Sequence, residues 1–246
     1  MKSIELFLTL GLSTTLSMSG AVMVNANENL EAIAEVKIAQ GGEGGEGGEE
    51  LSPGEQANAD FEDQIGGAEL LSELKQGGYV IYFRHAQTEK DYADQVTADV
   101  NDCSTQRVLS EVGLQQSITI GEAFEAAEIP IGTITSSDYC RAWKTAALAF
   151  GEYEKNSDLN FLPFEDYTDA QVEEMKTKVT PLLTAVPETG TNDIIVGHDD
   201  IFESATGIYP DPQGIAYVLK PDGNGSYEIV ANMLPEDWTE LAAASE

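Results

Sequence analysis

Two histidines, His85 and His198, and three arginines, Arg84, Arg107 and Arg141, are the only side chains of their kinds in this sequence of 246 residues. Together they could do chemistry on a phosphoryl group. A neutral imidazole can attack phosphorus and carry the group covalently. A second imidazole can hydrogen-bond the equatorial oxygens, where charge must be held during transfer. Guanidinium forks grip phosphate oxygens two at a time. The leaving alkoxide needs a proton, so a carboxylic acid kept protonated beside the pocket completes the set.

The elements that must position these residues can be read around them. Tyr79 to Phe83 (YVIYF) is a short apolar and aromatic run without turn residues, a strand buried on both faces, and Arg84-His85 follows it directly. Asn192 to Gly197 (NDIIVG) predicts another such strand and ends at His198. Ile129 to Ile134, entered through Pro130, predicts a further strand, after which Ser136-Ser137-Asp138 is placed to cap a helix from about Tyr139 to Phe150. Arg141 lies in the first turn of that helix, whose free N–H groups and positive dipole end are expected to help hold an anion. Open α/β sheets bind ligands outside the carboxyl ends of their strands, so Arg84, His85, Arg141 and His198 are expected to meet in one crevice.

Between these elements, Ala68 to Gln76 sets Leu70, Leu71 and Leu74 on one helical face and stops at Gly77-Gly78. Lys90 to Gln106 is polar, lacks periodicity and reads as a loop; Ser110 to Ala127 reads as a long helix. Asp169 to Val186 contains another helix, with a kink or break expected at Pro181. A short helix near Ile201 to Thr206 precedes a hairpin of Ile215 to Leu219 and Tyr227 to Asn232, joined through Pro221-Asp222-Gly223-Asn224-Gly225 and expected at a sheet edge. Strands alternating with helices predict an α/β fold with a mostly parallel sheet. Trp143 and Trp238 read as packing residues rather than a ligand platform.

The beginning of the chain reads as an address. Met1-Lys2, the apolar stretch Leu6 to Val24 and the small-x-small end Val24-Asn25-Ala26 predict a cleaved signal peptide over 1–26, and hence a periplasmic or secreted protein without stable membrane insertion. Residues 27–60, with GGEGGEGGEE, read as a disordered linker. A single catalytic domain is expected over 61–246. That segment holds 34 of the 44 acidic residues and 10 of the 12 basic ones, which argues against nucleic acid or an anionic membrane as a partner. No cluster of His, Cys and carboxylate has metal-ligand spacing, so no metal is expected. Cys103 and Cys140 are the only cysteines, and in an exported chain they predict a disulfide that contributes on the order of 3 kcal/mol.

Phe83-Arg84-His85-Ala86-Gln87-Thr88 resembles the Arg-His-Gly motif of the histidine phosphatase superfamily, the group that includes cofactor-dependent phosphoglycerate mutases. Ser136 to Arg141 with Thr145-Ala146 is similar to its second motif, Val196-Gly197-His198 to its third, and Leu109 to Gly121, with Gly113 and Gln116, to the helix between the first two. The resemblance implies a three-layer α/β/α sandwich of the phosphoglycerate mutase-like kind. It implies that His85 forms a phosphohistidine, that Arg84 and Arg141 clamp the phosphoryl group, and that His198 stabilises the transition state. In the mutase-like branch the proton donor lies between the second and third motifs, which points to Glu165 with Asp166 beside it; in the acid-phosphatase branch it follows the second histidine, which points to Asp199. The length of the chain favours Glu165. Ala86 stands where relatives have Gly, and Lys144 where they often have an acidic residue. Arg107 either reaches the pocket or simply lies near the start of the next helix. The function so implied is that of an exported phosphoric monoester hydrolase of the histidine acid phosphatase type, acting on a small phosphorylated substrate without metal or cofactor. The alternatives are a phosphoglycerate mutase-like phosphotransferase and a non-catalytic phosphate-binding protein. Specificity is expected to come from the Lys90 to Gln106 loop and the segment after His198.

Overall fold

The computed structural model describes residues 51–90, 94, 98–162 and 167–244. The elements, in chain order, are α1 (Pro53–Ala59), α2 (Gly67–Gln76), β1 (Val80–Arg84), α3 (Glu111–Ala126), β2 (Ile131–Ser136), α4 (Cys140–Phe150), β3 (Glu154–Lys155), α5 (Asp169–Leu183), β4 (Asn192–Gly197), α6 (Asp199–Thr206), β5 (Ala216–Pro221), β6 (Tyr227–Met233) and α7 (Pro235–Ala243). Six strands form one sheet in the order β3-β2-β4-β1-β5-β6. The first four are mutually parallel, and the hairpin β5–β6 adds two antiparallel strands at one edge.

Alternation along the central strands decides the layers. Ile81 and Phe83 of β1, Ile194 and Val196 of β4, and Ala216 and Val218 of β5 face one side, where they pack with leucines of α2, Phe124 of α3, Ala142 and Ala146 of α4 and Trp238 of α7. Val80 and Tyr82, Ile195, and Tyr217 and Leu219 face the other side, against Met175, Val179 and Leu183 of α5 and Phe202 of α6. Both faces of β1 are therefore buried, which is why its run is continuously apolar. The result is a three-layer α/β/α sandwich around a mostly parallel sheet.

Three differences from the sequence reading have local causes. The expected linker 27–60 extends too far: Pro53–Ala59 is helical, started by a capping box in which Ser52 Oγ accepts the Glu55 N–H at 3.2 Å and Glu55 Oε2 accepts the Ser52 N–H at 2.8 Å. That helix is tied to the domain by Tyr209 N–H to Gly54 O at 3.0 Å and Asn58 Nδ2 to Asp211 O at 2.8 Å. Pro181 does not end α5, which runs on to Leu183. The third difference is α7, which has Pro at its first position and buries Trp238 and Leu241. The expected signal segment, residues 1–26, lies outside the described residues. Among the described residues no helix is long and apolar enough to cross a membrane.

Candidate active site

Register brings three parallel strand ends level. Arg84 stands opposite Gly197, and Ser136 opposite Val196, so β1, β4 and β2 end side by side. Beyond those ends the pairing continues: the His85 N–H donates to Gly197 O and the Ser137 N–H to Val196 O, both at 3.0 Å. His85 and His198 are thereby set next to each other, with ring centroids 5.4 Å apart. A single hydroxyl fixes the backbone of His198. Tyr82 Oη accepts the His198 N–H at 3.0 Å and donates to its carbonyl at 2.8 Å. A Cβ on Gly197 would lie 2.2 Å from that oxygen, so only glycine fits before this histidine. Gly113 plays the matching part beside the first motif: its Cβ would collide with Gln87 O at 1.9 Å, and its absence lets the start of α3 close on the turn after His85. Ala86 fits that turn fully buried, with its N–H donating to Thr145 Oγ1 at 3.0 Å.

The tautomers follow from the partners. His85 Nδ1 lies 2.9 Å from Ala86 O, which can only accept, so Nδ1 carries the hydrogen and Nε2 carries the lone pair. Arg141 Nε donates to that lone pair at 3.2 Å. Burial, then Arg141 and Arg84, push the His85 pKa well down, so the ring is neutral at pH 7. For His198, the Ser137 hydroxyl donates its hydrogen to Asn160 Oδ1 at 2.7 Å and accepts the Tyr139 N–H. Its remaining lone pair takes the hydrogen of His198 Nε2 at 2.9 Å. Asn160 is fixed in turn, because its Nδ2 donates to the Asp138 carboxylate and its Oδ1 accepts the Asp138 N–H. His198 Nδ1 is left buried and without a hydrogen-bond partner among the described residues. Burial, then Arg141, His85 and Arg84, hold this ring neutral as well.

Both guanidiniums are buried, and each is gripped by carboxylates. Arg84 Nη1 donates to Pro210 O at 2.9 Å and Asp211 Oδ1 at 2.8 Å, while Nη2 pairs with Asp199 and packs beside the Tyr209 hydroxyl. Arg84 Nε is buried without a partner among the described residues. Arg141 lies against the rings of Tyr139 and Phe161, 5.1 and 5.2 Å from their centroids, and its Nη1 is held by Asp94 at 3.0 Å. At the α4 N-terminus two donors are already used by protein groups: the Tyr139 N–H goes to Ser137 Oγ and the Cys140 N–H to Gln106 Oε1 at 2.7 Å. Ser136-Ser137-Asp138 does not cap the helix by side chain; the buried Gln106 does so from the preceding loop. The Cys103–Cys140 disulfide ties the same loop to the same helix end.

The structure thus brings Arg84, His85, Arg141 and His198 together at the carboxyl ends of β1, β2 and β4. Glu165 and Asp166 lie outside the described residues. Asp199 is at this site, but burial, which would raise its pKa, is overcome by Arg84, His85 and Tyr209, so it stays ionised. Asp200 beside it is pushed up to about 7 by burial and by Asp199, and it accepts the Tyr167 hydroxyl at 3.2 Å. The Arg107 backbone N–H donates to Asp94 Oδ1 at 2.6 Å, and its charge reaches Arg141. Lys144 lies over the Trp143 ring, 5.6 Å from its centroid. Asp94, Asp211 and Gln106 carry the arrangement without having stood out in the sequence, a buried amide and lone carboxylates in an acidic chain having no pattern of their own, and Ser137, expected as a helix cap, holds His198. Among the described residues no group of three His, Cys, Asp or Glu side chains is disposed to hold a metal ion.

Comparison with known proteins adds one family match and a set of similar solved structures. Residues 80–198 match the family model described as "Histidine phosphatase superfamily (branch 1)". No curated protein is significantly similar in sequence. Among solved structures, the chain is similar to a phosphoserine phosphatase from Entamoeba histolytica in complex with 3-phosphoglyceric acid, at 14% identity and TM-score 0.49, over 65% of this chain and 98% of that one. It is similar to the protein histidine phosphatase SixA complexed with tungstate, at 14% identity and TM-score 0.46, over 65% and 98%. A mycobacterial glucosyl-3-phosphoglycerate phosphatase complexed with VO3 is similar at 16% identity and TM-score 0.44, over 62% and 97%. The matched segment begins in β1 and ends on His198, and over it the chain matches the histidine phosphatase superfamily, branch 1, with Arg84, His85, Arg141 and His198 all inside the match.

Proposed function

We propose that this chain is an exported phosphatase that hydrolyses a small phosphomonoester through a phosphohistidine on His85, without metal or cofactor. The observation that carries this reading is the state of His85: a buried neutral imidazole whose Nδ1 hydrogen is spent on Ala86 O and whose Nε2 lone pair meets Arg141 Nε. In the first step Nε2 attacks phosphorus, the P–N bond forms and the ester P–O bond breaks. The leaving oxygen takes its proton from a carboxylic acid. In the second step that carboxylate accepts a proton from water, the water oxygen attacks phosphorus, and inorganic phosphate leaves free His85. Arg84 and Arg141 meet the charge on the equatorial oxygens, and His198 joins them once a proton drawn in by the phosphoryl dianion reaches its unpartnered Nδ1, so guanidinium and imidazole do the work that a metal does elsewhere.

The proton donor is assigned to Glu165, with Asp166 beside it, on the strength of the family resemblance. Asp199 suits the role poorly, since it is the ionised partner of Arg84. The branch 1 match likewise favours a mutase-like arrangement of the acid over the acid-phosphatase one. Export rests on residues 1–26 and favours hydrolysis over a mutase-like transfer between glycolytic substrates. The purified protein is expected to hydrolyse an aryl phosphate in the presence of a chelator and to be inhibited by vanadate. Wild-type turnover by His85→Ala would overturn the proposal. Separate neutral substitutions at Glu165, Asp166, Asp199 and Asp200 locate the donor as the one whose kcat falls sharply with a poor leaving group and little with a good one.

A further inference from the structure

The charges that surround His85 do not make a positive pocket in the ligand-free protein. Two guanidiniums face it, and three carboxylates are already on them: Asp199 and Asp211 on Arg84, and Asp94 on Arg141. Both imidazoles are neutral. With the Arg107 charge added from beside Arg141, the group only reaches neutrality, and a phosphomonoester brings up to two negative charges. One carboxylate has to give way.

The three are not equally placed. Asp199 sits in the first turn of α6, on Arg84, where it also accepts the Tyr209 hydroxyl at 2.9 Å. Asp211 is also on Arg84, where it shares Nη1 with Pro210 O. Asp94 belongs to no helix or strand, its side chain is 23% exposed, between Asp199 at 18% and Asp211 at 35%, its Oδ1 also accepts the Arg107 N–H at 2.6 Å, and of the three it alone holds the guanidinium whose Nε touches the nucleophilic nitrogen. Both of its oxygens are 3.0 Å from Arg141 Nη1, the kind of contact that a phosphoryl oxygen makes with an arginine. We infer that Asp94 is an internal anion, which occupies Arg141 in the empty site and exchanges with the phosphoryl group of the substrate. The inference rests on the phosphatase reading and adds a regulation to the same site. By returning to Arg141, Asp94 helps to expel the product phosphate, and by leaving it sets part of the cost of substrate entry.

The test is calorimetric titration of wild type, Asp94→Asn and Asp94→Ala with inorganic phosphate, alongside KM for an aryl phosphate. Both variants lose the charge, and only the first keeps the shape. Thermal unfolding of each variant reports whether it is folded. The inference predicts that both bind phosphate about tenfold or more tightly than wild type, the gain being held down by partial exposure, with KM falling in parallel. Phosphate binding by wild type that is unchanged or weakened in the folded variants overturns it, and makes Asp94 a brace that orients Arg141. Variants that do not fold overturn it as well, because a displaceable carboxylate cannot be essential to the fold. If neither wild type nor variants bind phosphate, the phosphatase reading itself fails.

Discussion

Replacing Tyr82 by Phe removes one oxygen and isolates how His198 is held. In the native protein that oxygen satisfies both the N–H and the C=O of His198, from a ring that is fully buried between β1 and α6. The carbonyl keeps a second partner, the Phe202 N–H at 3.3 Å, so the substitution orphans only the His198 N–H. Gly197 cannot compensate, having no side chain to offer. An unsatisfied buried donor costs about 1–3 kcal/mol, and with the second hydrogen bond lost the expected destabilisation is roughly 2–3 kcal/mol. Because the histidine is the group displaced, kcat/KM is expected to fall about ten- to a hundredfold, a larger effect than stability alone would give at a temperature where the variant is folded. Urea unfolding at unchanged m-value reads the first number, and aryl phosphate hydrolysis at the same temperature reads the second. A variant within about 0.5 kcal/mol of wild type and fully active would refute the assignment of Tyr82 as the support of His198.

Other expectations follow from the same geometry. The disulfide closes a sequence separation of 37 residues, so Cys103→Ser with Cys140→Ser is expected to cost about 3–4 kcal/mol in urea unfolding, and no change would contradict a bonded pair. His85 and His198 are neutral in the fold, with pKa values well below the ordinary 6.5. As pH falls below about 6.5 the unfolded chain binds protons that the fold does not, so the stability these residues confer at neutral pH is lost downward from there; the paired histidine substitutions are expected to flatten that part of the stability profile. For the same reason the plot of log kcat/KM against pH is expected to show no histidine limb at 6.5. Asp200 acts in the opposite sense. Its pKa is raised to about 7, so the stability it supports is full below the ordinary 3.8 and is lost as pH rises through 7. Asp200→Asn is expected to stabilise the protein at pH 8 by about 1 kcal/mol or more and to do little at pH 4.

The elements that hold the site were legible because burial on both faces leaves a signature in composition. YVIYF and the IIVG of NDIIVG are apolar or aromatic runs followed directly by charged or titratable residues, which placed His85 and His198 at strand ends. Edge and short elements left no such trace: β3 is two exposed residues, and α1 has a capping box but only one buried position. The last helix announces itself through Pro235 and two acidic residues, yet its apolar face is short and depends on Phe83 and Phe124 from distant segments. What positions the chemistry was harder to read than the chemistry itself. The Asp138–Asn160–Ser137–His198 chain joins two separate loops to β4, and Gln106 caps a helix that starts 34 residues later. Asp94 and Asp211 are two carboxylates in a strongly acidic chain, and only folding singles them out by setting them on Arg141 and Arg84.

The covalent intermediate at His85 is the step most directly open to measurement. Rapid mixing of the protein with an aryl phosphate bearing labelled phosphorus, followed by an alkaline quench that preserves phosphohistidine, traps the label on the enzyme. One labelled site, His85, is expected, at a level that falls when turnover is complete, with no label in His85→Ala. Turnover by wild type with no label retained, or label on His198 instead, would contradict it.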